Sequence, residues 1–393
     1  MPSDALPPWP NYTEEEIEAV SRVLRSNKVN YWTGREGRDF EKEFAEFAGT
    51  DHAIALANGT LALDLALHGL RVGAHNGGSG TDEVIVTSRT FMASASCIVN
   101  AGAIPVFADV DRDSQNITAE TVAPHVGTNT RAIICVHLAG WPCDMDGLRD
   151  LVEGTDIRLI EDCAQAHGAL YKGRPVGGLG DVGAWSFCQD KIMTTGGEGG
   201  MVTCDDPDLW SRMWSFKDHG KSWDAVYERQ HPPGFRWVHE SIGTNWRLTE
   251  MQSAIGRIQL RLLPRWRDER TRNARALTER LMPYVEKGML RIPRPTCAGC
   301  AGDCSAAEGC THAWYRLYAF ARPENLPDGM DRDGLIETLI RDGFVCQQGS
   351  CSEIYREKAF DTAPGRPAHR LPVAKELGET SVMFLTHPGS QRR

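Results

Sequence analysis

The chain has 393 residues, a formal net charge of -10 and 41% hydrophobic residues, enough for a large core and two domains rather than one. The acidic balance argues against nucleic acid or an anionic membrane as partner. No apolar run approaches the roughly 18 residues that cross a bilayer, and the start MPSDALPPWP lacks a basic and then apolar signal, so a cytoplasmic protein is expected.

Asn11 to Arg25 read as a helix, with Thr13 as N-cap and acids in the first turn. VNYWTGREGRDFEKEFAEFAGT then gives a glycine-containing loop and an amphipathic helix whose Phe40, Phe44 and Phe47 recur at helical spacing and point to the core. HAIALANGTLALDLAL reads as a strand to Ala57, a tight Asn58-Gly59-Thr60 turn and a helix from Leu61. The N–H groups at such a helix start, with the Thr60 hydroxyl, form a phosphate site, although strand, Asn-Gly and helix also occur together without one. DEVIVTSRTFMASASCIVNAG is a strand and then a helix, and Phe91 just past the strand end is either a core residue or an aromatic face for a flat ring. IPVFADVD and RAIICVHLAG are two more buried strands with a helical segment between them. An order of strand and helix alternating throughout predicts an α/β fold, a mostly parallel sheet with helices on both faces.

The next stretch carries the chemistry. IRLI ends in Glu161 and Asp162, where a doubly wound sheet presents its strand ends to a ligand, and Gln165 follows one turn later. A second apolar segment, GAWSFC, leads to Lys191 and at once to the glycine-rich TTGGEGG. Taken singly, the lysine is a surface charge and Asp162 caps a following helix. Taken together, an acid at a strand end, a glutamine and a lysine before a glycine turn are three parts of Schiff-base catalysis with pyridoxal 5′-phosphate. The amine condenses with the aldehyde, and the acid keeps the pyridine nitrogen protonated. Partial burial beside a cationic ring favours the neutral amine that proton transfer needs.

Further on, MVTCDD reads as a strand and DPDLWSRMWSFKDHG as a helix running into a loop, where His219 either reaches the site or is polar surface. GTNWRLTEMQSAIGRIQLRLL places Asn245 and Arg247 before a long helix that Asn245 could simply cap near Thr249. From about Leu263 the glycine-rich strand ends stop. A large cofactor-binding domain at 1–262 and a smaller C-terminal α+β domain at 263–393 are expected, the latter with a strand from Tyr315 to Ala321. Eight of the twelve cysteines are scattered and read as reduced thiols; Cys297, Cys300, Cys304 and Cys310 form Cys-x2-Cys-x3-Cys-x5-Cys within an insertion at 297–310. Four thiolates can reach one tetrahedral ion, but the spacing matches no zinc motif and the Gly/Ala/Ser content suits a surface insertion, so no metal is assigned.

EDCAQAHGA, GDVGAWSFCQDK and GGEGG in combination resemble the StrS/DegT-type sugar aminotransferases, pyridoxal-phosphate enzymes of fold type I. The resemblance implies Lys191 as the Schiff-base lysine, Asp162 as partner of the pyridine nitrogen, Gln165 near the ring hydroxyl, and Ser186 with Gly59 and Thr60 at the phosphate. It implies Phe91 as the stacking residue, and Asn245 as a phosphate ligand of the neighbouring subunit in a homodimer with shared sites. Thr33, His219, Arg247 and His312 are its substrate-side positions. The turn departs from many members in having both Gly196 and Gly197 before Glu198, and the chain stops at HPGSQRR where relatives continue into one more helix. The implied activity moves an amino group from glutamate or glutamine to a keto group on a nucleotide-linked sugar. Two alternatives are a sugar dehydratase on the same fold, in which histidine replaces the lysine, and a regulatory protein that has kept the fold. Lys191 stands against the first, and the intact set of Asp162, Gln165, Ser186 and Lys191 against the second.

Overall fold

The computed structural model describes residues 9–293, 309–350 and 352–389. Cys297, Cys300 and Cys304 therefore lie outside the described residues; Cys310 is buried, and its Sγ accepts the Lys172 N–H at 3.1 Å.

Five strands, β1 (His52–Leu56), β2 (Glu83–Thr87), β3 (Ile104–Ala108), β4 (Thr130–Val136) and β5 (Arg158–Asp162), precede a small hairpin of β6 (Leu170–Tyr171) and β7 (Arg174–Pro175). β8 (Val182–Ser186) and β9 (Gly200–Cys204) complete a seven-stranded sheet in the order β1-β9-β8-β5-β4-β2-β3. The run from β8 to β3 is parallel, and β9 lies antiparallel to both of its neighbours. Around the sheet lie α1 (Glu14–Ser26), α2 (Glu36–Ala48), α3 (Gly59–Gly69), α4 (Ala93–Asn100), α5 (Ala119–Val122), α6 (Met145–Val152), α7 (Pro207–Lys217) and α8 (Glu250–Glu286).

Strand alternation feeds both faces. Ala53 and Ala55 of β1 join the core with Phe40 and Phe44 of α2 and Leu148 of α6, whereas Ile54 and Leu56 join Leu63 of α3, Ile98 of α4 and Met213 of α7. A sheet covered on both sides needs apolar side chains at every strand position, which is why these strands read as continuous apolar runs.

The expected alternation of strand and helix fails in two places. Residues 163–181 contain the β6–β7 hairpin and no α-helix, because the loop folds back onto the strand end and is held there by Glu161. That fully buried carboxylate accepts the N–H groups of Gly177 (2.8 Å), Leu179 and Gly180 (both 2.7 Å), and its Oε2 also meets His137 Nε2 at 2.9 Å. Asp162 consequently caps no helix. The second exception is β9, which returns antiparallel to β8 through the lysine turn without a crossover helix.

A second sheet of β10 (Leu290–Arg291), β11 (Arg316–Ala321), β12 (Cys346–Gln347) and β13 (Ser381–Leu385) is antiparallel in the order β10-β11-β13-β12, with α9 (Arg332–Arg341) and α10 (Pro372–Thr380) beside it. One face, with Tyr318, Phe320 and Met383, belongs to the core that holds Phe44 and Trp185. The other, with Leu317, Ala319 and Phe384, packs on Leu277 and Leu281 of α8 and Leu335 of α9. Position 262 falls inside α8, a 37-residue helix that contributes buried side chains at both ends.

Candidate active site

The strand ends of the large sheet meet α3 at the Asn58-Gly59-Thr60 turn. Asn58 is the N-cap, its side chain accepting the Leu61 N–H at 3.0 Å, and the N–H groups of Gly59 and Thr60 donate to no described residue. Ser186 ends β8 directly beside this turn. A Cβ on Gly59 would fall 2.5 Å from Ser186 Cβ, so only glycine lets the helix start approach the serine so closely.

At the end of β5, Asp162 is 5% exposed. Its Oδ2 accepts the Ser94 hydroxyl at 2.7 Å and its Oδ1 the Ala164 N–H at 3.1 Å. Burial raises its pKa above the ordinary carboxylate value, against these hydrogen bonds and the nearby Lys191. Ser94 in turn meets Thr90 Oγ1 at 2.8 Å, which ties the acid to the segment carrying Phe91. Phe91 is 67% exposed, so it is not a core residue. Gln165, 7% exposed, accepts the Ala139 N–H at 2.8 Å through Oε1.

Lys191 sits in the β8–β9 connection, which is pinned from several sides. The Trp9 indole donates to the Lys191 carbonyl at 2.8 Å, and Gln259 of α8 accepts the Thr194 N–H at 2.7 Å. Gly196 and Gly197 take φ of 86° and 115°, a backbone that side-chain-bearing residues rarely adopt. The Lys191 side chain is 15% exposed, with Nζ 3.6 Å from Asp190 Oδ1 and 5.1 Å from the centre of the Tyr315 ring. Burial works against a charge on this amine, but Tyr315, Asp190 and Asp162 outweigh it and hold the pKa above its ordinary value. The protein alone therefore favours the ammonium, because Tyr315 and two carboxylates face it; the cationic ring on which the neutral amine depends is not part of this balance.

Tyr315 and Asp190 were absent from the residues expected at the site. Tyr315 is anchored by its N–H to the Ala139 carbonyl at 2.9 Å, on the loop whose Ala139 N–H is bonded to Gln165, and its hydroxyl donates to Asp190 Oδ2. The motif His312-Ala-Trp-Tyr was the available signal for one of them, and adjacency to Lys191 for the other. His312 itself stacks on Trp314 with 4.0 Å between centroids and accepts the Trp314 N–H at 2.7 Å; burial pushes it down to about 3.

The other expected positions lie around this centre. Asn245 and Arg247 run beside the end of β1, with the Ala57 N–H donating to the Trp246 carbonyl at 2.9 Å. The Asn245 side chain is exposed, and it does not cap α8: Thr249 is the N-cap, its hydroxyl donating to Gln252 at 2.7 Å. Arg247 is engaged internally, 2.5 Å from the fully buried Asp218. Thr33 is exposed and bonded to the Asn30 carbonyl at 3.2 Å, and His219 is exposed with φ of 59°. Away from the lysine, His137, Glu161 and Cys163 bring ligand atoms within 4.8 Å of one another, but His137 Nδ1 accepts the Cys143 N–H at 3.0 Å and the Glu161 oxygens are occupied as described, which makes this a structural support behind Asp162.

A mostly parallel sheet with one antiparallel strand, closed by a smaller antiparallel sheet, is the fold-type I architecture. An aminotransferase from Psychrobacter cryohalolentis has the same fold, with a TM-score of 0.92 and 55% identity over 98% of this chain and 94% of that one. The DegT/DnrJ/EryC1/StrS aminotransferase family model matches residues 10–392, and the chain belongs to that family. Among curated relatives, dTDP-3-amino-3,4,6-trideoxy-alpha-D-glucose transaminase of Streptomyces venezuelae is 40% identical over 65% of this chain and 62% of its own length. GDP-perosamine synthase of Escherichia coli O157:H7 is 39% identical over 64% of each. The chain thus spans less than two thirds of the length of these two relatives.

Proposed function

We propose that this protein is a pyridoxal 5′-phosphate-dependent aminotransferase that moves an amino group from glutamate or glutamine to a keto group on a nucleotide-linked sugar, in the biosynthesis of amino sugars for surface polysaccharides or secondary metabolites. The observation that supports it most is the nearness of Lys191 to a buried Asp162 beside a bare helix start, within a family whose curated members named above make amino sugars. The residues present fit the cofactor. Bare N–H groups at Gly59 and Thr60 beside Ser186 suit a phosphate, the exposed Phe91 face suits an aromatic ring, and the buried Asp162 suits a ring nitrogen. When bound, the cofactor supplies an aldehyde for the amine and a ring that accepts electrons from the donor's Cα.

In this reading the protein's own groups do the rest. Asp162, oriented by Ser94 and the Ala164 N–H, keeps a proton on the ring nitrogen. Lys191 Nζ would take the proton from the donor's Cα and later give it up, and would do the same in reverse in the sugar half. Gln165 is fixed with its Oε1 on the Ala139 N–H, and its amide nitrogen would serve the ring hydroxyl. The protein acts in the cytoplasm as a homodimer, with Asn245 serving the neighbouring subunit's phosphate and Thr33, His219, Arg247 and His312 on the substrate side.

The test combines a label with an assay. Protein loaded with pyridoxal phosphate, reduced with borohydride and digested carries the label on Lys191, and Lys191→Ala loses both label and turnover. Offered glutamate or glutamine and then a panel of nucleotide-linked keto sugars, the wild type converts at least one to the amino sugar by mass spectrometry. A label on another lysine, or no amino sugar from any keto acceptor, overturns the proposal.

A further inference from the structure

The Asp190–Tyr315 pair is part of no role assigned so far, yet it stands beside the reacting amine. Asp190 bridges two groups: Oδ1 lies 3.6 Å from Lys191 Nζ, and Oδ2 accepts the Tyr315 hydroxyl. Tyr315 is 4% exposed and fixed through its N–H to the Ala139 carbonyl at 2.9 Å. Its ring is covered by Arg316, whose guanidinium carbon lies 4.1 Å from the ring centre and whose Nη2 lies 3.8 Å from Asp190. Asp190 is 53% exposed, so without the phenol its side chain has open solvent to turn into. A buried residue just before β11 thus holds a half-exposed carboxylate beside the lysine.

We infer that Asp190, tethered by Tyr315, is a further catalytic residue that strengthens Lys191 as the base of the proton transfer. This rests on the reading of Lys191 as the cofactor lysine. The step balances without Asp190 being consumed. Lys191 Nζ would take the proton as the donor's Cα–H bond breaks and would give that same proton up again to the cofactor-bound product, so the lysine ends as it began. Asp190 stays a carboxylate throughout and stabilises the transient ammonium. Tyr315 is a positioning residue that acts through it.

The charged and titratable groups facing the amine are Asp190 and Cys188 on its own turn, Asp162 on β5, His167 on the following loop, and Tyr315 with Arg316 at β11. Of these, Asp162 belongs to the ring nitrogen and is buried. Asp190 is held below the ordinary carboxylate value: its burial acts against this, and Lys191, Tyr315 and Arg316 outweigh it.

The experiment uses the apoprotein, so that it reads the amine and not turnover. Acetylation by trace acetic anhydride is followed at Lys191 by peptide mass spectrometry across pH, since only the neutral amine reacts. Asp190 favours the ammonium, so its removal lets Lys191 react at lower pH. Asp190→Asn is expected to move the Lys191 midpoint to lower pH, and Tyr315→Phe to move it in the same direction. Lys217, fully buried, reports folding by staying unreactive; should Asp190→Asn unmask it, Tyr315→Phe carries the test. An unmoved midpoint in folded Asp190→Asn overturns the proposal, and an unmoved midpoint in folded Tyr315→Phe overturns the tether. A borohydride label on another lysine would instead overturn the functional reading while leaving this midpoint as measured.

Discussion

In the proposed function Asp162 is a buried side chain that serves a single partner, the ring nitrogen. A carboxylate at 5% exposure is costly to ionise, and its two protein hydrogen bonds, from Ser94 and the Ala164 N–H, only partly offset that cost. The missing compensation is a cation at short range, which a protonated ring nitrogen would supply. Asp162→Asn keeps the volume and can keep the Ser94 contact but cannot hold that proton. It is expected to bind pyridoxal phosphate yet lose roughly 10²–10³-fold in half-transamination rate, about 3–4 kcal/mol in the barrier. Stopped-flow spectra of the donor half-reaction check this, and a near wild-type rate places the ring-nitrogen partner elsewhere. The placement of Asp162 and Lys191 near one another is legible in the sequence because the signals are local: an apolar strand ending in acids, and a lysine leading into glycines. The Tyr315 hydroxyl reaches Asp190 across 125 positions of chain, a pairing that no local pattern encodes.

At the level of elements, α2 is held where it is by a residue of another helix. Arg35 at its N-cap offers no side-chain bond, and the orphan N–H groups of Glu36 and Gly37 are instead accepted by Glu250, at 2.6 and 3.1 Å, from the first turn of α8. Glu250 is 1% exposed and lies against Gly34, where a Cβ would fall 2.0 Å from its Oε2. Arg257, two turns along α8, adds ion pairs to Glu36 and Glu43, both at 2.7 Å. Glu250→Ala should therefore cost about 2 kcal/mol, since it strands one buried and one half-buried donor and removes a negative charge from a helix start. Glu250→Gln, which keeps an acceptor, should cost less. Thermal unfolding of the two variants checks the order, and an Ala variant as stable as wild type refutes the capping role. The helices themselves were readable from periodicity, as with Phe40 and Phe44 at 0% exposure, and so was Thr13, whose N–H and hydroxyl both donate to Glu16. What was not readable was the break after β5, because Glu161 holds that loop by accepting backbone N–H groups, which every sequence presents alike. Nor was the continuity of α8 through residue 262, where the change in composition suggested a boundary and Pro264 lies within the helix.

For the whole molecule, the segment between α7 and α8 exposes large apolar side chains. Phe235, Trp237 and Ile242 are 77%, 81% and 92% exposed, and the exposed Asn245 lies on the same segment. Apolar side chains grouped in this way are commonly covered by a partner. A second copy related by a two-fold axis would receive Asn245 at its own site and give the same in return, as an isologous interface requires. With Thr249 serving as the cap of α8, the simpler explanation of Asn245 as a helix cap is removed. The consequence can be counted. Lys191→Ala protein and Asn245→Ala protein, each inactive alone, form mixed dimers in which one site has lost both groups and the other has lost neither. With free exchange at equal amounts, about half of the dimers are mixed and about a quarter of all sites are intact, so activity should return to roughly a quarter of wild type. Pull-down with two different tags first establishes that subunits exchange. If they do and activity stays at the level of the separate variants, Asn245 serves its own subunit and the shared site fails; full specific activity in a species that scatters light as a monomer has the same force.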